Sequence, residues 1–185
     1  MATKALILDF GGVIALIKGL YYVPVFPDDE MWRKAEKGEV SEGEFWQKLE
    51  KYHGKSTEEL IEMLLEERKL NQPVVDFLKS IKGKLKMVTI NNGLFKVMER
   101  MVKEWGLSEV FDVILNSSQE KLSKPDSKIF LLACERLGVK PEECVYVAKK
   151  ESYLEVAQSL NMKGFVYSNP ADFKEQILNL TGLMV

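Results

Sequence analysis

Asp9 is the residue in this chain best placed to do chemistry. It closes the apolar run Ala5-Leu6-Ile7-Leu8 and is followed by Phe10-Gly11-Gly12. A carboxylate at the end of a buried strand costs desolvation unless it has partners or a task. The two glycines let the backbone turn tightly and present N–H groups to an anion. The plainer alternative is an aspartate that only caps the turn. Lys124-Pro125-Asp126 is the second feature. Proline favours an extended conformation for the residue before it and suits the first turn of a helix. An ammonium and a helix N-terminus, both attractive to anions, would then face one space. Taken alone, this tripeptide could equally be a surface turn.

The elements that must position these residues alternate. Ala5–Asp9 reads as a strand buried on both faces. From Asp28 to Ile81 the pattern is helical throughout, with no strand signal. Asp28-Asp29 can cap one helix, Ser41-Glu42-Gly43-Glu44 forms a capping box, Ser56 or Thr57 starts a third helix, and Pro73 leads a fourth. Strands are then predicted at 85–90, 111–115, 144–148 and 164–167, with helices at 95–105, 126–137, 151–160 and 170–180 between or after them. This order implies an α/β fold: a doubly wound parallel sheet, Rossmann-like, with helices on both faces. Residues 14–81 would form a small helical cap inserted after the first strand, and residues 1–13 and 82–185 the core. Ligands of such sheets bind beyond the carboxyl ends of the strands. That adds Asn91-Asn92-Gly93, the loop Ser117–Pro125 and Lys149-Lys150-Glu151 to the candidates. Tyr21, Tyr22, Phe26 and Trp32 are candidates for lining a cap-side pocket or for packing between cap and sheet.

Composition narrows the function. The 185 residues carry a net charge of −2, with 46% hydrophobic and 29% charged residues, an ordinary globular make-up. Only four of the 26 basic residues are arginine, and none cluster, which disfavours nucleic acid as a partner. Cys134 and Cys144 lie apart without a CxxC pattern, so neither a disulfide scaffold nor a cysteine zinc site is implied. They read as buried thiols in a reducing compartment. The single histidine, His53, stands in a charged stretch that offers no nucleophile. The apolar stretch Val13–Phe26 is broken by Lys18, Gly19 and Pro24 and is shorter than the roughly 20 residues a membrane span needs. The expectation is a cytoplasmic protein with no membrane partner.

Asp9, Lys124 and the helical insert between them, in this order, resemble the haloacid dehalogenase-like (HAD) superfamily, in its phosphatase-like subgroup with a small helical cap. The segments that carry the likeness are Ala5–Val13, Glu36–Trp46, Met87–Gly93, Lys124–Asp126 with Ile129-Phe130, and Cys144–Met162. The resemblance implies an aspartyl nucleophile at Asp9 and a phosphate-holding lysine at Lys124. It implies phosphate contacts from Phe10, Gly11, Asn91 and Asn92, with Asn91 where the family has Ser or Thr. Two positions depart. The family's second aspartate, which transfers protons, is Gly11 here. The aspartate that helps bind Mg²⁺ after the fourth core strand is Lys149, with Ala148 before it and Tyr153 four residues on. Glu151 is the nearby carboxylate, two residues out of register. Lys124 and Lys149 outnumber Asp9, and a cation beside Lys149 would be repelled by roughly 4 kcal/mol per unit charge at about 4 Å.

The expectation is therefore a HAD-like protein with a degraded phosphatase site, weak or absent catalysis, no cofactor, and a small anion or phosphorylated small molecule as partner. Lys149 is expected to pair with Asp9. The alternative is a working phosphatase or other hydrolase acting through Asp9 on a small phosphorylated metabolite, with Mg²⁺ held by Asp9 and Glu151. A metal-independent dehalogenase belongs to that alternative.

Overall fold

The structure, a computed structural model, describes residues 2–18 and 29–184. Asp28, Tyr21, Tyr22 and Phe26 lie outside the described residues. In chain order the elements are β1 (Ala5–Asp9), β2 (Ala15–Ile17), α1 (Asp29–Glu36), α2 (Glu42–His53), α3 (Thr57–Glu66), β3 (Arg68–Leu70), α4 (Gln72–Ser80), β4 (Lys86–Asn91) and α5 (Phe95–Glu104). They continue with β5 (Val113–Asn116), α6 (Ser117–Glu120), α7 (Ser127–Leu137), β6 (Cys144–Ala148), α8 (Glu151–Ser159), β7 (Lys163–Val166) and α9 (Pro170–Thr181). The chain forms a parallel five-stranded sheet in the order β5-β4-β1-β6-β7, flanked by helices. The α/β, doubly wound reading of the sequence is correct.

Strand alternation divides the core. Leu6, Leu8, Met87, Val145 and Val147 face the layer that contains α4, α5 and α9. Ala5, Ile7, Val88, Ile90 and Tyr146 face α7 and α8. Asp9 continues the phase of Ala5 and Ile7, which brings it to the α7–α8 side at the carboxyl end of the central strand. Ile7 pairs with Tyr146 in register, so the Tyr146 ring lies one step below Asp9 on the same face.

Three local readings need correction. Arg68–Leu70 is a strand, pairing antiparallel with Ala15–Ile17. Arg-Lys-Leu has no β-branched residue to announce it; the partner ribbon imposes the conformation. Ser117–Glu120, expected as loop, is a single helical turn. Phe111 belongs to the preceding turn, its N–H donating to Leu107 O, so β5 starts later than expected.

The ribbon β2–β3 carries α1, α2 and α3 out from the sheet and back. By contrast α4 packs on the core, where Phe77 meets Phe173 of α9 edge-on at 5.9 Å. Two contacts fasten the insert. The Glu42 carboxylate accepts from the Phe95 N–H, from the Lys96 N–H at 3.2 Å and from Ser118 Oγ at 2.8 Å, so a side chain of α2 caps α5. Ser117 Oγ donates to the Glu36 carbonyl and accepts from the Gly93 N–H at 3.1 Å. Gly38 lets α1 come this close: its φ is +69°, and a Cβ there would stand 2.6 Å from Ser118 O.

Glu42→Ala should cost about 1–2 kcal/mol in chemical denaturation, the typical loss of a helix cap. It should also raise protease cleavage within α1–α3 above that of the sheet helices.

Candidate functional site

The turn after β1 is built by its backbone. Ile14 and Ala15 N–H groups both donate to Phe10 O at 2.9 Å, and the Gly12 N–H donates to Ala15 O at 2.8 Å. Gly12 sits at φ +85°, where side chains are strained, and the Lys149 stem lies where its Cβ would be. Phe10 was expected among the anion contacts. Its N–H instead donates to Ile90 O at 3.1 Å, and its side chain is buried, stacked on Trp105. Gly11 has open space where a Cβ would project and borders the main cavity.

Asp9 is 1% exposed. Its Oδ1 accepts from Lys124 Nζ and from the Tyr146 O–H at 2.7 Å; its Oδ2 accepts from the Lys149 backbone N–H at 2.6 Å. The expected Lys149–Asp9 ion pair is therefore replaced by Lys124–Asp9, buried on both sides. Lys124 also donates to Ile90 O at 2.6 Å. The loop is clipped in place by Asn92, whose side-chain amide accepts from the Lys124 N–H at 3.0 Å and donates to Lys124 O at 2.8 Å. Asn92 is thus a positioning residue for Lys124. The Lys124–Pro125 peptide is cis. Asp126 caps α7, accepting from the Lys128 N–H. Asn91 donates through Nδ2 to Asn116 Oδ1 at 2.9 Å, and Asn116 donates onward to Gly93 O and Ser118 Oγ.

Charge and burial act against each other here. Burial pushes the Lys124 ammonium below its ordinary value, while Asp9 pulls it back up. Burial, then Asp9, drives the Tyr146 phenol far up, so it stays an O–H donor. Lys149 is lowered by burial and then by Lys150.

Asp9, Gly11, Glu36, Asn91, Asn92, Lys124, Lys149, Lys150 and Tyr153 surround a cavity of about 310 Å³. Lys150 is exposed but still borders it, 5.2 Å from the Tyr153 ring centroid; Lys124 Nζ stands 5.5 Å from the same ring. Glu151 opens α8 with an exposed side chain outside this lining. Trp32 is buried, edge-on to Phe45 at 5.7 Å, and borders a smaller cleft shared with Gly11, Asn91 and Asn92. It therefore lines a pocket, and its ring contact is with α2. Cys134 and Cys144 are buried with their sulfurs 3.7 Å apart. Among the described residues no three His, Cys, Asp or Glu side chains gather to hold a metal ion, and no helix is long and apolar enough to cross a membrane.

Sequence reasoning missed Tyr146, Asn116 and Glu36. Tyr146 was detectable from strand phase, two positions from the end of β6. Glu36 follows Trp32 by four residues in α1 and so shares its inward face. Desolvation raises the Glu36 carboxyl from 4.5 to about 7, against the opposing pull of the Trp32 indole and of Lys124, Lys150 and Arg68.

The family pattern described as haloacid dehalogenase-like hydrolase matches residues 3–148. The chain belongs to that family. A phosphorylated carbohydrates phosphatase of Thermotoga maritima is 34% identical over 108 residues, 57% of this chain and 49% of the relative. A fructose-1-phosphate phosphatase of Escherichia coli is 29% identical over 90 residues, 49% of this chain and 48% of the relative. The chain thus spans about half the length of these relatives. A HAD family enzyme of Bacteroides thetaiotaomicron superposes with a TM-score of 0.83 at 19% identity, over 96% of this chain and 99% of that one. A structure of that enzyme with magnesium and inorganic phosphate gives 0.77 at 20% identity, over 90% and 94%. At this identity the likeness is one of fold.

Two outcomes follow from the site's electrostatics. Lys124→Met should destabilise by about 3–5 kcal/mol, because Asp9 loses its buried ammonium, and adding Asp9→Asn should restore much of that loss; urea titration of the double-mutant cycle measures both. Glu36 has its folded value above its unfolded one. Its contribution to stability is full below pH 4.5 and is lost as the pH rises through about 7. Glu36→Gln should therefore be more stable than wild type by roughly 1–3 kcal/mol near pH 8, with the gap closing near pH 4 in thermal melts.

Proposed function

We propose that this HAD-family chain is an anion-binding protein whose crevice takes a small phosphorylated molecule, a phosphorylated carbohydrate being the class its relatives' names suggest, with little or no hydrolysis. In this reading α1–α3, within the expected 14–81 insert, supply the cap over the crevice, while α4 packs on the core. The observation that carries it is the set of donors around Asp9. Lys124, Tyr146 and the Lys149 amide already occupy both carboxylate oxygens, and two further lysines border the cavity. The residues present do not fit Mg²⁺. A protein-held Mg²⁺ usually needs one or two carboxylates besides substrate oxygens. The second carboxylate here is Glu36, whose carboxyl is raised by desolvation to about 7, which weakens it as a cation ligand. A divalent cation beside Asp9 would also meet the Lys124 and Lys149 ammonium groups.

The chemistry left to the chain's own residues is binding. Lys149 and Lys150 offer ammonium groups, Asn91 an amide, and the cavity is large enough for a small phosphate ester. Gly11 has no side chain with which to protonate a leaving group or activate water, a loss of about 10²–10⁴ in rate where that help is missing. The competing reading, a hydrolase working through Asp9, rests on the phosphatase relatives. It requires metal-stimulated turnover.

Inorganic phosphate should bind with the same affinity in millimolar Mg²⁺ and in EDTA, and Mg²⁺ alone should leave the melting temperature unchanged. Lys149→Met should weaken phosphate binding. Hydrolysis of p-nitrophenyl phosphate stimulated by Mg²⁺ and lost in Asp9→Asn would establish the hydrolase instead. Because an L-residue at position 11 meets open space, Gly11→Asp combined with Lys149→Asp should fold and gain a Mg²⁺-dependent rise in melting temperature.

A further inference from the structure

The crevice holds a carboxylate that the binding reading above leaves unused. Glu36 ends α1, and α1 is fixed at that point. Its own carbonyl accepts from Ser117 Oγ, which also accepts from the Gly93 N–H beside Asn91 and Asn92. Gly38 packs directly on Ser118. Glu36 thus borders the cavity from a docked helix, in company with Asp9 and Lys124. The cations that face it come from several elements: Lys124 from the loop before α7, Lys149 and Lys150 from the loop after β6, and Arg68 from β3. The Trp32 indole of α1 is its polar neighbour, and Asp9 borders the same cavity.

Lys149 and Lys150 are the cations an incoming oxyanion would use. With Glu36 ionised, its carboxylate is their counter-ion and repels the ligand. With Glu36 protonated, the lysines are released and the carboxyl O–H becomes a donor toward the ligand. We propose that Glu36 is a ligand-contacting, specificity-determining residue of the anion site, and that one proton enters on its carboxyl with each oxyanion bound. The inference rests on the anion-binding reading. Its range fits the raised Glu36 value near neutrality: affinity should fall as the pH rises through about 7.

Sulfate is the probe, because its own charge is constant across this range. Wild-type affinity measured by calorimetry should drop roughly tenfold between about pH 6 and about pH 8. Repeating the titration in buffers of different ionisation enthalpy should show close to one proton taken up per sulfate near pH 8 and almost none near pH 6. Glu36→Gln should bind at the wild-type low-pH affinity throughout, with no uptake. If Glu36→Gln keeps the wild-type profile, the proton belongs to another group, such as Lys149, and the inference falls while the anion site stands. Absence of proton uptake by wild type near pH 8 overturns it without any variant. Absence of sulfate binding at every pH, in wild type and Glu36→Gln alike, overturns both the inference and the anion-binding reading.

Discussion

The buried pairing of Asp9 with Lys124 constrains everything around it. Two charges at 1% and 3% side-chain exposure are costly to remove from water, and attraction offsets that cost only when the geometry is good and the remaining lone pairs are satisfied. The fold meets those conditions with parts distant in sequence. The central strand delivers Asp9, β6 delivers Tyr146 and the Lys149 amide, and Asn92 grips the backbone of Lys124 from the end of β4. Each contributor matters because the buried carboxylate has two oxygens to satisfy. These hydrogen bonds centre on the pair.

A second set of hydrogen bonds, adjoining the first through the backbone step from Asn91 to Asn92, holds the helical insert. Asn116 links Asn91 to Ser118; Ser118 contacts Glu42, which caps α5; Ser117 links Gly93 to the end of α1. The strand-end loops that hold Asp9 and Lys124 therefore also fix where α1 lies over the cavity. The end of α1 cannot move away without breaking these contacts, and the Glu36 carboxyl it carries borders the cavity. Desolvation there raises its proton affinity, while the nearby cations oppose the rise.

The sheet was legible in the sequence because buried parallel strands are near-continuous apolar runs, and Asp9 stood out because it interrupts one. Lys124 was legible through the proline that follows it. The pairing was harder to read. Lys149 occupies a position that in the resembling family faces the metal, which suggested an ammonium there beside Asp9. The chain instead lays its stem over Gly12 and offers Asp9 the backbone N–H, a donor that exists whatever the side chain. The Arg68–Leu70 ribbon was invisible because three residues carry no period. Glu36 was hidden for a different reason. Its significance depends on Lys124, Lys149, Lys150 and Arg68 converging on it, and sequence spacing gives no hint of that convergence.

On the reading proposed above, Gly11 and Lys149 together change what this crevice can do without altering the fold that holds it. An acid at each position would make the pocket a place where cations gather and phosphate follows them. With neither, positive charge is carried by lysines on the protein itself. A lysine attracts a phosphate oxygen about as an ion of one unit charge does, but it is a hydrogen-bond donor and not a Lewis acid, and it brings no coordinated water. On the anion-binding reading proposed above, such a pocket keeps its attraction for an anion without the means of polarising a scissile bond. On that same reading, the charge on the Glu36 wall is the variable that decides whether an anion stays.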